Sequence, residues 1–186
     1  DFLSETTAEV ICFWGHQPLN SGPDGETRFN ARDGLKASSK TIVVDPRETY
    51  LAKKADLWLQ LRPGTDDALA LAMIHVIIEE GLQDKDFVDN YTHGYDELAT
   101  HVKDMTPQWA EDITWVPADK IREAARMLAT IKPALMEWGV ALEQTPNCIQ
   151  TVRAVSLIPS ITGNIDVPGG WVFGMHGVGP VPSNID

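Results

Sequence analysis

The sequence predicts an α/β protein: a doubly wound, mostly parallel sheet of the dinucleotide-binding, Rossmann-like kind, with helices on both faces. Three observations carry that prediction. Short apolar or β-branched runs alternate with longer helical patterns, the order that builds a parallel sheet. Residues 40–66 compress the pattern into one stretch: strand, loop, short helix, strand, turn, and the start of the next helix. Finally, the strands end in Gly or Asp turns, at Gly15, Asp45 and Gly139, with a further turn over residues 62–66. In open α/β sheets that edge is where ligands bind.

Residues 9–15 form the first strand, apolar almost throughout and therefore central. Gly15, His16, Gln17 and Pro18 end it, and residues 20–24 read as a polar loop rich in Gly and Pro. A weakly amphipathic helix over 28–35 returns the chain to the sheet. Thr41 to Val44 is a β-branched strand, stopped by Asp45 and Pro46 because proline cannot extend the ladder. Residues 57–61 make the next strand. The turn Arg62-Pro63-Gly64-Thr65-Asp66 then caps an apolar helix ending at Gly81. Its near-total apolarity predicts burial on all sides, and His75 within it reads as a packed core or helix-surface histidine.

Short helical pieces over 84–91, 95–103 and 106–112 follow, with His93 and His101 as surface residues. Residues 117–130 make an amphipathic helix with proline in its first turn. Pro133 breaks it, and 134–139 is the last strand. The final helix opens at Thr145 or Asn147 and is bent or ended at Pro159. Residues 162–170 read as a loop. The domain is thus expected to occupy residues 1–170, followed by an extended Gly- and Pro-rich tail over 171–186.

Lys and Arg total 15 against 27 for Asp and Glu, a net charge of −12. That argues against nucleic-acid binding, which wants a basic face. Backbone N–H groups and a few placed arginines must therefore hold any phosphate. No window has the apolar length of a membrane helix. The sequence opens on Asp1 and reads as a piece of a longer protein. Cys12 and Cys148 lie far apart in apolar patterns and read as buried free thiols. They are too few for an iron–sulfur cluster, which wants about four thiolates. No G-x-G-x-x-G, phosphate-loop, G-x-S-x-G or H-E-x-x-H pattern is present, and no nucleophile, base and orienter come together. No catalytic residue and no metal ligand is assigned within the chain. The residues describe a binder of a nucleotide-bearing cofactor that lacks the chemistry.

Several segments together resemble the molybdopterin oxidoreductases. They are Trp14-Gly15, Val43-Val44-Asp45-Pro46-Arg47, Ala55-Asp56-Leu57-Trp58-Leu59, Arg62-Pro63-Gly64-Thr65-Asp66, the Trp138-Gly139 turn through Gln144, and residues 157–170. That family includes formate dehydrogenases, nitrate and dimethyl sulfoxide reductases and a tungsten acetylene hydratase. The resemblance covers nearly the whole chain in order. It implies an enzyme whose molybdenum or tungsten is held by two molybdopterin guanine dinucleotides, one of them bound here. Trp14, Gly15, His16, Gln17 and Pro18 would meet its diphosphate and ribose. Asp45, Pro46, Arg47, Glu48 and Thr49 would surround the guanosine. Gly64, Thr65 and Asp66 would recognise the guanine, and Gly139, Val140 and Gln144 would approach the pterin.

The resemblance further implies a 4Fe-4S cluster and the metal ligand in a part of the polypeptide outside this sequence. Partners would be the remaining domains of that polypeptide and electron-transfer subunits. A non-redox hydratase on the same scaffold is the alternative, and a metal-free nucleotide-binding module a third. The chain departs from the family pattern in Gly15-His16-Gln17, where relatives often have Gly-x-Asn, in Ala141, and around Met175 and His176.

Overall fold

A computed structural model describes residues 8–21 and 25–171, without the side chains of residues 25–27 and 30. The elements in chain order are β1 (Val10–Trp14), α1 (Pro18–Ser21), α2 (Gly25–Ala37), β2 (Lys40–Val44), α3 (Tyr50–Lys54) and β3 (Leu57–Leu59). They continue with α4 (Asp66–Glu79), α5 (Lys85–Tyr91), α6 (Tyr95–His101), α7 (Pro107–Thr114), α8 (Ala118–Thr130), β4 (Ala134–Trp138) and α9 (Cys148–Ile161). The strands form one sheet in the order β3-β2-β1-β4. Every pairing is parallel, with Cys12 set between Ile42 and Met136.

The sheet is buried on both faces because alternate side chains enter two different cores. Val10, Cys12, Trp14, Ile42, Val44, Ala134 and Met136 join α4, α7, α8 and α9 on one side. Ile11, Phe13, Val43 and Leu135 pack with Ala31 of α2 and with Leu51 and Ala52 of α3 on the other. That explains why the strands read as unbroken apolar runs rather than as an alternation. Helix α4 lies inside the first core, touching α7, α8 and α9, so nearly every residue from Ala68 to Ile77 is buried. Burying Leu69, Met73, Ile74 and Ile77 contributes about 1.5–3 kcal/mol each. Helix α8 covers the sheet with one stripe, Ile121, Ala124, Ala125, Leu128 and Ala129, at helical spacing.

The structure differs from the sequence reading in places. Helix α2 spans Gly25–Ala37 rather than 28–35. Asn20 and Ser21 belong to α1 instead of a loop, because the Gln17 carbonyl accepts from both of their N–H groups behind Pro18. Residues 22–24 of that expected loop lie outside the described residues. Strand β3 stops at Leu59, since its one neighbour, β2, ends opposite it at Val44. Pro159 does not end α9, which runs on to Ile161 and is closed by the Asn164 N–H on the Pro159 carbonyl and the Thr162 hydroxyl on the Ile158 carbonyl. Cys148 is half-buried at the start of α9, not buried as expected. Cys12 is buried, and burial pushes its thiol up to about 12. Of the expected tail, all but Trp171 lies outside the described residues. Among the described residues no helix is long and apolar enough to cross a membrane.

Candidate functional site

Because all four strands run parallel, their carboxyl ends share one rim. The order β3-β2-β1-β4 puts the switch in winding between β1 and β4, where a crevice opens in such sheets. There the Gly15 and Gly139 turns cross. The Gly15 N–H donates to the Val44 carbonyl and the Gly139 N–H to the Trp14 carbonyl, at 2.8 and 3.1 Å. A Cβ on Gly139 would stand 2.4 Å from the Gly15 carbonyl oxygen, so no other residue fits at that crossing. The following turn leans on the same point through Leu142, while Val140 is exposed and its carbonyl accepts from the Gln144 N–H.

Beyond Gly15 the rim holds polar groups that the chain does not satisfy. Gln17 is only 7% exposed, and neither its amide nitrogen nor its amide oxygen has a partner among the described residues. His16 Nδ1 and Glu137 Oε2 lie 3.4 Å apart without a formed hydrogen bond. Both atoms are buried. His16 and Glu137, with Trp138 and Trp171, line a small cavity of about 190 Å³, and the two indoles meet edge to face with centroids 4.9 Å apart. Buried polar groups in folded proteins are nearly always paired. Glu137 was missed by the sequence reading, although a carboxylate inside an otherwise apolar strand was the available signal.

The β2 and β3 ends are arranged differently. Asp45 is buried, and its Oδ1 accepts from the backbone N–H of Arg47 at 2.8 Å and from Arg47 Nε at 3.4 Å. Trp58 Nε1 donates to the Asp45 carbonyl and Gln60 to that of Pro46, fixing the loop on β3. Glu48 pairs with Lys53, and Thr49 caps α3 by accepting from the Ala52 N–H. In the next turn the Thr65 hydroxyl donates to the Arg62 carbonyl instead of capping α4, which corrects the expected side-chain cap. Gly64 has φ of 80° and open space around it.

Asp66 begins α4, and its Oδ1 accepts from Trp14 Nε1 at 2.8 Å. Burial pushes its carboxyl above the usual range, against the pull of the Trp14 indole, and the charge of Asp67 acts in the same direction as burial. Trp14 itself is fully buried. Asp67 accepts from Asn147 at 2.5 Å, which ties the starts of α4 and α9 together on the rim.

The expected site residues therefore fall on one edge of the sheet. His75, as expected, is packed: Nδ1 lies 2.9 Å from the Val102 carbonyl and Nε2 pairs with Glu79. His93 and His101 are exposed, as expected, and line an open cleft of about 1040 Å³ between α4, α5, α6 and α9. Among the described residues no group of three or more His, Cys, Asp or Glu could hold a metal ion.

A parallel sheet with strand order 3-2-1-4 and a glycine crossing at its switch point defines the class: a doubly wound parallel α/β domain. A family model described as Molybdopterin oxidoreductase matches residues 5–178, and the chain belongs to that family. It is 37% identical to formate dehydrogenase H of Escherichia coli, over 96% of this chain and 25% of that protein. It is 42% identical to acetylene hydratase of Syntrophotalea acetylenica, over 93% of this chain and 23% of that one. A solved structure of acetylene hydratase from Pelobacter acetylenicus superposes with a TM-score of 0.81 at 38% identity, over 90% of this chain and 23% of that chain. The chain spans about a quarter of the length of these relatives. Family members are molybdopterin oxidoreductases, and the family implies a molybdenum or tungsten pterin cofactor.

Proposed function

We propose that this chain is the domain of a bis-pterin molybdenum or tungsten enzyme that holds the guanosine diphosphate part of one molybdopterin guanine dinucleotide. The observation that carries the reading is the buried, unpartnered amide of Gln17 beside the Gly15–Gly139 crossing, next to the buried His16 Nδ1 and Glu137 Oε2 atoms that face each other without a formed hydrogen bond. A large polar ligand laid across the switch point supplies the missing partners. The glycine crossing leaves its backbone open to such a ligand. Asp66, with one oxygen held by Trp14, accepts from the N–H edge of guanine, and Asp45 faces the ribose hydroxyls. Arg47, 75% exposed at its side chain, is a local cation for a phosphate in an acidic chain.

When bound, the metal and its pterins supply the chemistry; the residues of this chain bind and orient the nucleotide end. Further domains of the same polypeptide complete the site, carry the 4Fe-4S cluster and the metal ligand, and pass electrons to partner subunits. The similarity to acetylene hydratase supports a second reading of the whole enzyme, hydration rather than redox chemistry, with the same binding role for this domain. Titration of guanosine diphosphate into the isotope-labelled chain checks the binding role. The expected outcome is amide shifts confined to residues 15–21, 45–49 and 64–66, with micromolar to millimolar affinity, about 4–8 kcal/mol. Shifts elsewhere, or a stronger response to adenosine diphosphate, reject it.

A further inference from the structure

Helix α7 ends in an unusual way. Its C-cap is Trp115, with φ of 66°, the left-handed conformation that glycine adopts freely and a bulky side chain does not. The indole is 67% exposed, so burial does not compensate for the backbone. The Arg62 guanidinium lies over the ring, 5.4 Å from its centroid. The Arg62 N–H donates to the Thr114 carbonyl at 2.8 Å, which fastens the end of α7 to the turn over residues 62–66. Among the described residues no carboxylate lies within ion-pair distance of Arg62, although the chain carries 27 acidic residues.

Strained backbone positions cluster at active sites and ligand clamps. The position of this one is specific. Arg62 opens the same five-residue turn that ends in Asp66, and Gly64 between them leaves open space. A carboxylate that reads the edge of a base and a guanidinium–indole pair that offers a flat face are the two halves of purine recognition. Stacking on such a face tolerates any base, whereas the carboxylate selects.

We propose that Arg62 and Trp115 form the stacking wall of the base subsite, against which the guanine read by Asp66 is laid. This rests on the guanine-end reading and adds to it the residues that hold the face of the base. Arg62 is placed so that its planar cation stacks and also offsets the acidity around the nucleotide.

The test uses guanosine and adenosine diphosphate as probes in calorimetric titrations of the chain, with thermal melts alongside. Trp115→Gly should weaken guanosine diphosphate about tenfold while raising the melting temperature by about 2–4 °C, because glycine relaxes the left-handed position. Trp115→Phe should retain most of the affinity, and Arg62→Ala should lose it about as far as Trp115→Gly does. Opposite movement of affinity and stability is a result that a merely structural Trp115 cannot give. Unchanged affinity in Trp115→Gly, with binding lost in Asp66→Ala, overturns the stacking wall and leaves the guanine-end reading standing. Equal or better binding of adenosine diphosphate by the unaltered chain overturns both. A change in self-association without a change in nucleotide affinity assigns the platform to a protein contact and also overturns the proposal.

Discussion

The two halves of the rim treat their polar groups in opposite ways. At the β2 and β3 ends the chain satisfies its own carboxylates: Asp45 holds the Arg47 loop and Asp66 is held by Trp14. At the β1 and β4 ends it leaves the buried Gln17 amide without a partner, and the buried His16 Nδ1 and Glu137 Oε2 atoms face each other at 3.4 Å without a formed hydrogen bond. The first half is preformed, its acceptors fixed by bonds within the chain. The second leaves buried polar atoms unsatisfied among the described residues. Preorganised acceptors lower the ordering cost of any binding, while orphaned buried groups cost stability until they are paired.

Glycine substitutions separate the halves most sharply. Gly139→Ala drives a methyl group into the backbone at Gly15 and His16, which cannot move without parting β1 from β4. The expected cost is about 3 kcal/mol or more, a fall in melting temperature of roughly 6–12 °C. Gly64→Ala meets no atom and carries only the left-handed conformation, about 1 kcal/mol. Denaturant melts of both variants check this. Equal losses at the two positions would mean that the crossing is no tighter than the turn.

Asp66 comes next in size. Asp66→Asn keeps an oxygen for the Trp14 indole but turns an acceptor into a donor toward the base. Guanosine diphosphate affinity should fall by about 1.5–3 kcal/mol, the scale of a charge-assisted pair. Stability should move the other way. Burial raises the Asp66 carboxyl, so the folded state binds its proton more tightly than the unfolded one. Stability from this group therefore falls as pH rises from about 4, the unfolded value, through the raised folded value. Above that window Asp66→Asn should melt higher than the unaltered chain, and below about pH 4 the two should coincide. Coincident melting at all pH values would place Asp66 in a better-solvated site than the rim provides.

The fold was legible because each element carries its own physics. The apolar runs at β1, β2 and β4 announce strands buried on both faces, and the Asp45-Pro46 and Gly139 stops announce where they end. The preformed half of the rim was legible for the same reason, since turn chemistry is local. Long-range placement was not. The Trp14 indole reaches Asp66 across 52 residues, and Trp14 reads from sequence as a strand-end contact rather than as the donor that orients the carboxylate. Glu137 sits beside His16 only because β4 lands next to β1, a consequence of strand order. The left-handed backbone of Trp115 and its contact with Arg62 need three-dimensional placement.

The smallest expected effect bears on the unfinished half. Gln17→Met keeps the length of the side chain and removes two buried polar atoms that have no partners in this chain. An unsatisfied buried amide costs about 1–3 kcal/mol, whereas an apolar group of similar shape costs nothing of the kind. The variant should therefore be as stable as the unaltered chain or slightly better, by up to about 1 kcal/mol. A comparable change at the other half, Asp45→Leu, removes an acceptor already in use and leaves the Arg47 N–H without it, so it should destabilise by about 1–3 kcal/mol. In the full-length enzyme the order of consequence shifts. Gln17→Met should lower the pterin and metal content of the purified protein although its fold is intact. Denaturant melts of the chain and cofactor analysis of the enzyme read the two effects separately. Destabilisation by Gln17→Met as large as that by Asp45→Leu would show that Gln17 is satisfied within the fold, and the contrast between the two halves of the rim would be lost.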